Sequence, residues 1–161
     1  MSYRIVCASD GHGARNAREA LVRQMPACDL FCYLGDVESD ALYFRAALAQ
    51  VRPAAAFLAV AGNCDPFSAL ALTVRHQAAG VRLLATHGHL FSVKQTLDLL
   101  AQAALDNGCV LTLFGHTHIP CCQWQGGVLL FNPGALRQGQ WGVVEIGEKG
   151  EISGQLRTLP A

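Results

Sequence analysis

Five short apolar runs in this chain each stop at a residue type that can hold a hard or borderline metal ion. Ile5-Val6-Cys7-Ala8 leads into Asp10-Gly11-His12, and Leu30-Phe31-Cys32-Tyr33-Leu34 leads into Gly35-Asp36. Phe57-Leu58-Ala59-Val60 precedes Gly62-Asn63, Leu83-Leu84-Ala85 precedes His87-Gly88-His89, and Leu111-Thr112-Leu113-Phe114 precedes Gly115-His116-Thr117-His118. Five of the six histidines lie at such ends. Short runs rich in Val, Ile, Leu and Phe read as buried strands. Open α/β sheets carry their ligands beyond the carboxyl ends of their strands, so the polar chemistry is predicted along one edge.

The segments between these runs have helical spacing. Ala17, Ala20, Leu21 and Met25 mark a first helix, and Ala41, Leu42, Phe44, Arg45, Leu48 and Val51 a second. Val93, Leu97, Leu100, Ala101, Ala104 and Leu105 predict a third, stopped by Asn107-Gly108. Alternating strands and helices predict βαβ units and a largely parallel sheet over the first two-thirds of the chain. After Pro120 the pattern changes to short strands at 121–125, 128–131, 141–146 and 152–159, separated by glycine-containing turns. An antiparallel meander, packed as a second sheet on the first, is predicted there. No repeat, low-complexity tract or linker divides the sequence, and 161 residues suit one core, so residues 1–161 are expected to form a single domain.

Bulk properties narrow the function. Hydrophobic residues make up 52% of the chain, yet no apolar stretch reaches the roughly 20 residues a membrane-spanning helix needs. The start, Met1-Ser2-Tyr3-Arg4-Ile5, has no charged-then-apolar leader, so a cytoplasmic location is expected. Twelve basic and twelve acidic side chains cancel, leaving no field to steer nucleic acid or an anionic membrane. Seven cysteines without Cys-x-x-Cys spacing argue against a disulfide framework or a zinc ribbon.

Two divalent ions about 3.5 to 4 Å apart can clamp the attacking and leaving oxygens of a phosphoryl displacement. Asp36 is the natural bridging carboxylate. Asp10, His12 and His118 then serve one ion, and Asn63, His87 and His116 the other. Mixed N/O shells suit manganese, iron, zinc or nickel better than a thiolate-selective metal. A water bridging the ions, acidified by them, is the expected nucleophile.

Asp10-x-His12, Gly35-Asp36, Gly62-Asn63, His87-Gly88-His89 and Gly115-His116-Thr117-His118, in this order, resemble the calcineurin-like metallophosphoesterases, and within them the small bacterial and archaeal YfcE-like phosphodiesterases. The resemblance spans Ser9 to Gly134 and includes Gly62-Asn63-Cys64-Asp65 and Asn132-Pro133-Gly134. It implies a four-layer α/β/β/α sandwich of two packed mixed sheets. It also implies a dinuclear centre, often holding manganese, and hydrolysis of phosphodiester bonds in small diesters or nucleotide-like substrates. Metal-binding roles carry over onto Asp10, His12, Asp36, Asn63, His87, His116 and His118. Asp36 and Asn63 also belong to the expected catalytic set, and His89 is a candidate proton donor or substrate contact.

Two positions depart from the wider pattern. Cys64 stands where many metallophosphoesterases have a histidine that protonates the leaving oxygen. A thiol is a poor general acid, and losing a contribution of typically 10² to 10⁴ in rate favours acidic leaving groups. Ala135 follows Asn-Pro-Gly where relatives commonly have serine. The expected place of Cys64 is half-buried beside the metals, while Arg15, Arg18 and His76 are expected at the surface.

Two other readings compete. Gly11-His12-Gly13 resembles a dinucleotide-binding turn, but Asn16 replaces the third glycine and four histidines are left unexplained. A silent scaffold on the same fold, similar to a eukaryotic retromer subunit, would need an apolar surface drawing on Trp124, Phe131 or Trp141. Homo-oligomers are compatible with either function.

Overall fold

Alternation along the first strand splits its side chains between two cores: Ile5 and Cys7 face one way, Val6 and Ala8 the other, and all four are fully buried. A strand buried on both faces must have a layer on each side, which is what the computed structural model of residues 2–160 shows. In chain order the elements are β1 (Tyr3–Ala8), α1 (Arg15–Gln24), β2 (Leu30–Tyr33), α2 (Glu38–Val51), β3 (Ala56–Ala59), β4 (Thr73–Ala78) and β5 (Val81–Thr86). They continue as α3 (Asp98–Asp106), β6 (Leu111–Leu113), β7 (Cys121–Gln125), β8 (Val128–Asn132), β9 (Gln140–Ile146) and β10 (Ile152–Thr158).

The strands form two mixed five-stranded sheets, ordered β10-β9-β1-β2-β3 and β4-β5-β6-β8-β7. Between them lies a core of Ile5, Cys32, Leu58, Leu83, Leu113 and Phe131 among others. The outer face of the first sheet is covered by Leu21 of α1, Met25 just beyond it, and Phe44 and Leu48 of α2, and that of the second by Leu100, Ala101 and Ala104 of α3. The expected α/β/β/α sandwich is therefore present.

Its wiring differs from the prediction. The chain after Pro120 does not build a separate meander. β9 runs antiparallel to β1, pairing Ile5 with Val144, whereas β8 runs parallel to β6, pairing Leu111 with Leu129. β5 and β6 in turn belong to the second sheet, not to the sheet of β1 to β3. Apolar runs buried on both faces look alike whichever sheet they join, so the pattern could not assign them. β4 escaped detection because Thr73-Val74-Arg75-His76-Gln77-Ala78 is an edge strand with alternating exposure. His76 sits on it, partly exposed. The third helix starts at Asp98, later than predicted, because Ser92 adopts a left-handed φ of 53° and Thr96 Oγ1 accepts the Asp98 N–H at 3.2 Å. Among the described residues, no helix is long and apolar enough to cross a membrane.

Candidate metal centre

β1, β2 and β3 are parallel, as are β5 and β6, and all five strands deliver their carboxyl ends to one cleft where the sheets meet. Asp10 Oδ1 lies 3.0 Å from His118 Nε2, 3.6 Å from His87 Nε2 and 3.8 Å from His12 Nε2. Asp36 Oδ2 lies 3.3 Å from His87 Nε2 and 4.0 Å from His12 Nε2, and His116 Nδ1 is 3.3 Å from His87 Nε2. Six of the seven predicted ligands thus converge. Asn63, the seventh, is exposed at the rim with its amide 3.8 Å from Cys64 Sγ. Its loop is nonetheless tied to the centre, because Cys64 N–H donates to Asp36 Oδ1 at 2.9 Å. His89, half-buried, has its ring centroid 5.6 Å from that of His87 and 6.1 Å from that of His116.

The backbone at these loops is unusual. Among the described residues, Asp10, His12, Asp36, His116 and His118 are five of the seven non-glycine residues with positive φ. Such conformations cost of order 1–3 kcal/mol each and persist where surrounding contacts enforce them, characteristically at functional sites. Two motif glycines answer a different demand. A Cβ at Gly62 would strike the Asp36 carboxylate, and one at Gly115 would strike the Ser9 hydroxyl and the Asp10 carboxylate.

Electrostatics test whether a cation fits. His87 Nδ1 is 2.6 Å from the Leu34 carbonyl, which can only accept, so Nδ1 carries a proton and Nε2 faces two carboxylates. His12 Nε2 is buried without any hydrogen-bond partner in the same cluster. Carboxylate oxygens and ring nitrogens packed this way can hold a cation between them. Three overlapping triads could hold one: Asp10-His12-His118, Asp10-Asp36-His87 and His12-Asp36-Cys64, with donor atoms in each within 4.8 Å of one another. Nitrogen and carboxylate donors suit a first-row divalent ion.

Shifted pKa values report the same crowding. Burial alone would lower that of His87, but the hydrogen bond with Asp36 and the charges of Asp10 and Asp36 outweigh it and raise it. Burial would likewise lift the Asp36 carboxyl, yet His87 and the Cys64 N–H hold it well below the usual carboxylate range. His116 is pushed down to about 4 by burial and by the positive charges of His87 and Lys94. Burial and His87 also lower His89.

Several residues outside the predicted ligand set support the centre, and of these Tyr33 and Asp40 carried no recognisable sequence signal. Tyr33 OH, fully buried, donates to Asp36 O at 2.6 Å and accepts from Gly11 N at 3.0 Å. Asp40, also fully buried, accepts from Gly13 N at 2.9 Å and pairs with Arg18 Nη1 at 3.0 Å. Asn132 Nδ2 donates to Gly115 O and Thr117 Oγ1, both at 3.0 Å, while its Oδ1 accepts from Gly134 N at 2.8 Å. Ser9 Oγ donates to Asp10 Oδ2 at 2.6 Å. Buried acids and hydroxyls of this kind hold ligands in place.

Residues 3–146 match the profile of the calcineurin-like phosphoesterase superfamily domain. The chain belongs to that superfamily. This phosphoesterase is 30% identical over 134 residues to the probable metallophosphoesterase YsnB of Bacillus subtilis (strain 168), covering 83% of this chain and 75% of that protein. It is 31% identical over 152 residues to phosphodiesterase YfcE of Escherichia coli (strain K12), covering 83% and 79%. A solved structure of a predicted phosphoesterase from Streptococcus pneumoniae TIGR4 superposes with a TM-score of 0.75 at 21% identity, covering 98% of each chain, a likeness of fold.

Two surface expectations need correction for this phosphoesterase. Arg18 is not simply solvated: it pairs with buried Asp40, and its guanidinium lies 4.5 Å from the Tyr43 ring centroid. Cys64 is exposed, not half-buried. Slight desolvation and the Asp36 carboxylate raise its pKa, which keeps it a thiol. Arg15 is exposed as expected and pairs with Glu19. Ala135 is buried, its N–H donating to Gln140 Oε1 at 2.9 Å.

Proposed function

We propose that this phosphoesterase hydrolyses phosphodiester bonds with two divalent ions, most simply manganese, with iron, zinc or nickel as alternatives. The single observation that carries the proposal is the convergence of the Asp10 and Asp36 carboxylates on His87 Nε2, with the orphaned His12 Nε2 beside them. Asp10, His12 and His118 would hold one ion and Asn63, His87 and His116 the other, with Asp36 shared. When bound, the ions supply an acidified water as nucleophile and neutralise charge on the phosphoryl oxygens.

The protein contributes orientation. Leu34 O fixes the His87 tautomer, Ser9 and the His116 N–H hold Asp10 Oδ2, and Cys64 N–H holds Asp36 Oδ1. Asn63, exposed at the rim, is available to meet both an ion and a phosphoryl oxygen. His89 is the chain's candidate for passing a proton to the departing alkoxide. With a thiol at Cys64, substrates with acidic leaving groups should react fastest.

Burial of Phe131 and Trp141 in the core, leaving only Trp124 of the three aromatics exposed, gives little support to a scaffold surface. The test is hydrolysis of bis(p-nitrophenyl) phosphate by chelator-stripped protein, with and without added manganese. Turnover that depends on manganese and collapses in Asp36→Asn is expected. Activity indifferent to both would overturn the proposal.

A further inference from the structure

One groove opens beside the candidate metal centre and is not used by it. It encloses about 610 Å³, within the usual size of a small-molecule site. Its apolar walls come from Val93, Leu97, Phe114, Ile119 and Pro120. Thr117, which also lines it, sits between the candidate ligands His116 and His118, so the groove and the cleft share a loop. Lys94, Cys121, Cys122 and Gln123 complete the lining, and Lys94 is close enough for its charge to reach His116. Ile119, directly after His118, is 67% exposed, an apolar side chain left without cover next to the chemistry.

A phosphodiester centred on the ions must send its two organic arms away from the phosphorus, and the groove adjoining the His116–His118 loop is a path for one of them. Apolar walls accept a ring body, and an ammonium at the rim favours a π face over an aliphatic one. Side-chain hydroxyl and amide groups can meet ring heteroatoms at the edge. We propose that this groove is a subsite for one organic arm and selects phosphoesters whose alcohol carries a planar aromatic ring, either an aryl group or the base of a nucleoside. This rests on the phosphodiesterase function proposed above and adds the substrate class to it.

The test is equilibrium binding to zinc-loaded protein by calorimetry, using inorganic phosphate, methyl phosphate, cyclohexyl phosphate, phenyl phosphate and thymidine 5′-monophosphate. Phenyl phosphate or the nucleotide should bind about tenfold tighter than inorganic or methyl phosphate, as burial of one ring allows. Whichever of the two binds tighter identifies the source of the aromatic arm. Ile119→Glu should reduce that preference to about twofold or less, with inorganic phosphate as each protein's own reference. In methyl spectra of the same zinc form, phenyl phosphate should shift the Val93, Leu97 and Ile119 signals, and inorganic phosphate should not. Equal affinities for all five compounds, equal affinities for the cyclohexyl and phenyl esters, or an unchanged preference in Ile119→Glu would each overturn the subsite. Failure of every phosphate compound to bind would instead overturn the metal-dependent phosphodiesterase function proposed above.

Discussion

Asp65 clasps the loop of Asp36 from the neighbouring strand end: its Oδ2 accepts the Asp36 N–H at 3.2 Å and the Gly62 N–H at 2.9 Å, while its Oδ1 accepts the Glu38 N–H at 2.9 Å. The Asp36 loop is thus placed by a second carboxylate that lies in none of the candidate metal triads. Asp65→Ala should weaken manganese binding by about 10- to 100-fold, the usual cost of losing such support. Calorimetric titration checks this, and wild-type affinity in the variant would remove Asp65 from the site.

Tyr33 makes the equivalent connection from beneath. Tyr33→Phe leaves the Gly11 N–H and the Asp36 carbonyl without their buried partner, at a cost of about 1–3 kcal/mol. Urea unfolding of the metal-free protein should show that loss with an unchanged m-value.

Arg18 and Asp40 form the most buried ion pair between a guanidinium and a carboxylate among the described residues. Arg18→Ala strands a carboxylate that retains only neutral partners, and should destabilise by about 1–3 kcal/mol. Adding Asp40→Asn should recover part of the loss, because the uncompensated charge goes with it. Strict additivity in the double-mutant cycle would show that the pair is uncoupled.

Metal removal should be visible in stability as well as in turnover. Manganese at 100 times its dissociation constant adds about 2.7 kcal/mol to a protein that binds it only when folded. For a chain of this length that is a rise in Tm of several degrees. Differential scanning calorimetry with chelator and with manganese should show it, and Asp36→Asn should lose most of it.

What the sequence revealed follows from how local each signal was. The ligand-bearing ends of β1, β2, β3, β5 and β6 could be read because each places polar residues directly after an apolar run. The sheet partners of β5, β6 and β9 could not, because a strand buried on both faces carries no mark of its neighbour. Asp40 looks like an ordinary helix-start acid in the sequence, and Asp65, although part of the Gly62-Asn63-Cys64-Asp65 motif, shows no role there; only folding brings them under Gly13 and Asp36. The groove beside His118 was equally hidden, since Leu97 and Ile119 come to line one groove only in three dimensions.

The cleft draws on both halves of the sandwich: Asp10 and Leu34 belong to the first sheet's strand ends, His87 and His116 to the second's. The His87–Leu34 and His116–Asp10 hydrogen bonds therefore act as rivets across the seam. Sliding one layer over the other would break them first, so the edge that performs the chemistry also keeps the two layers in register.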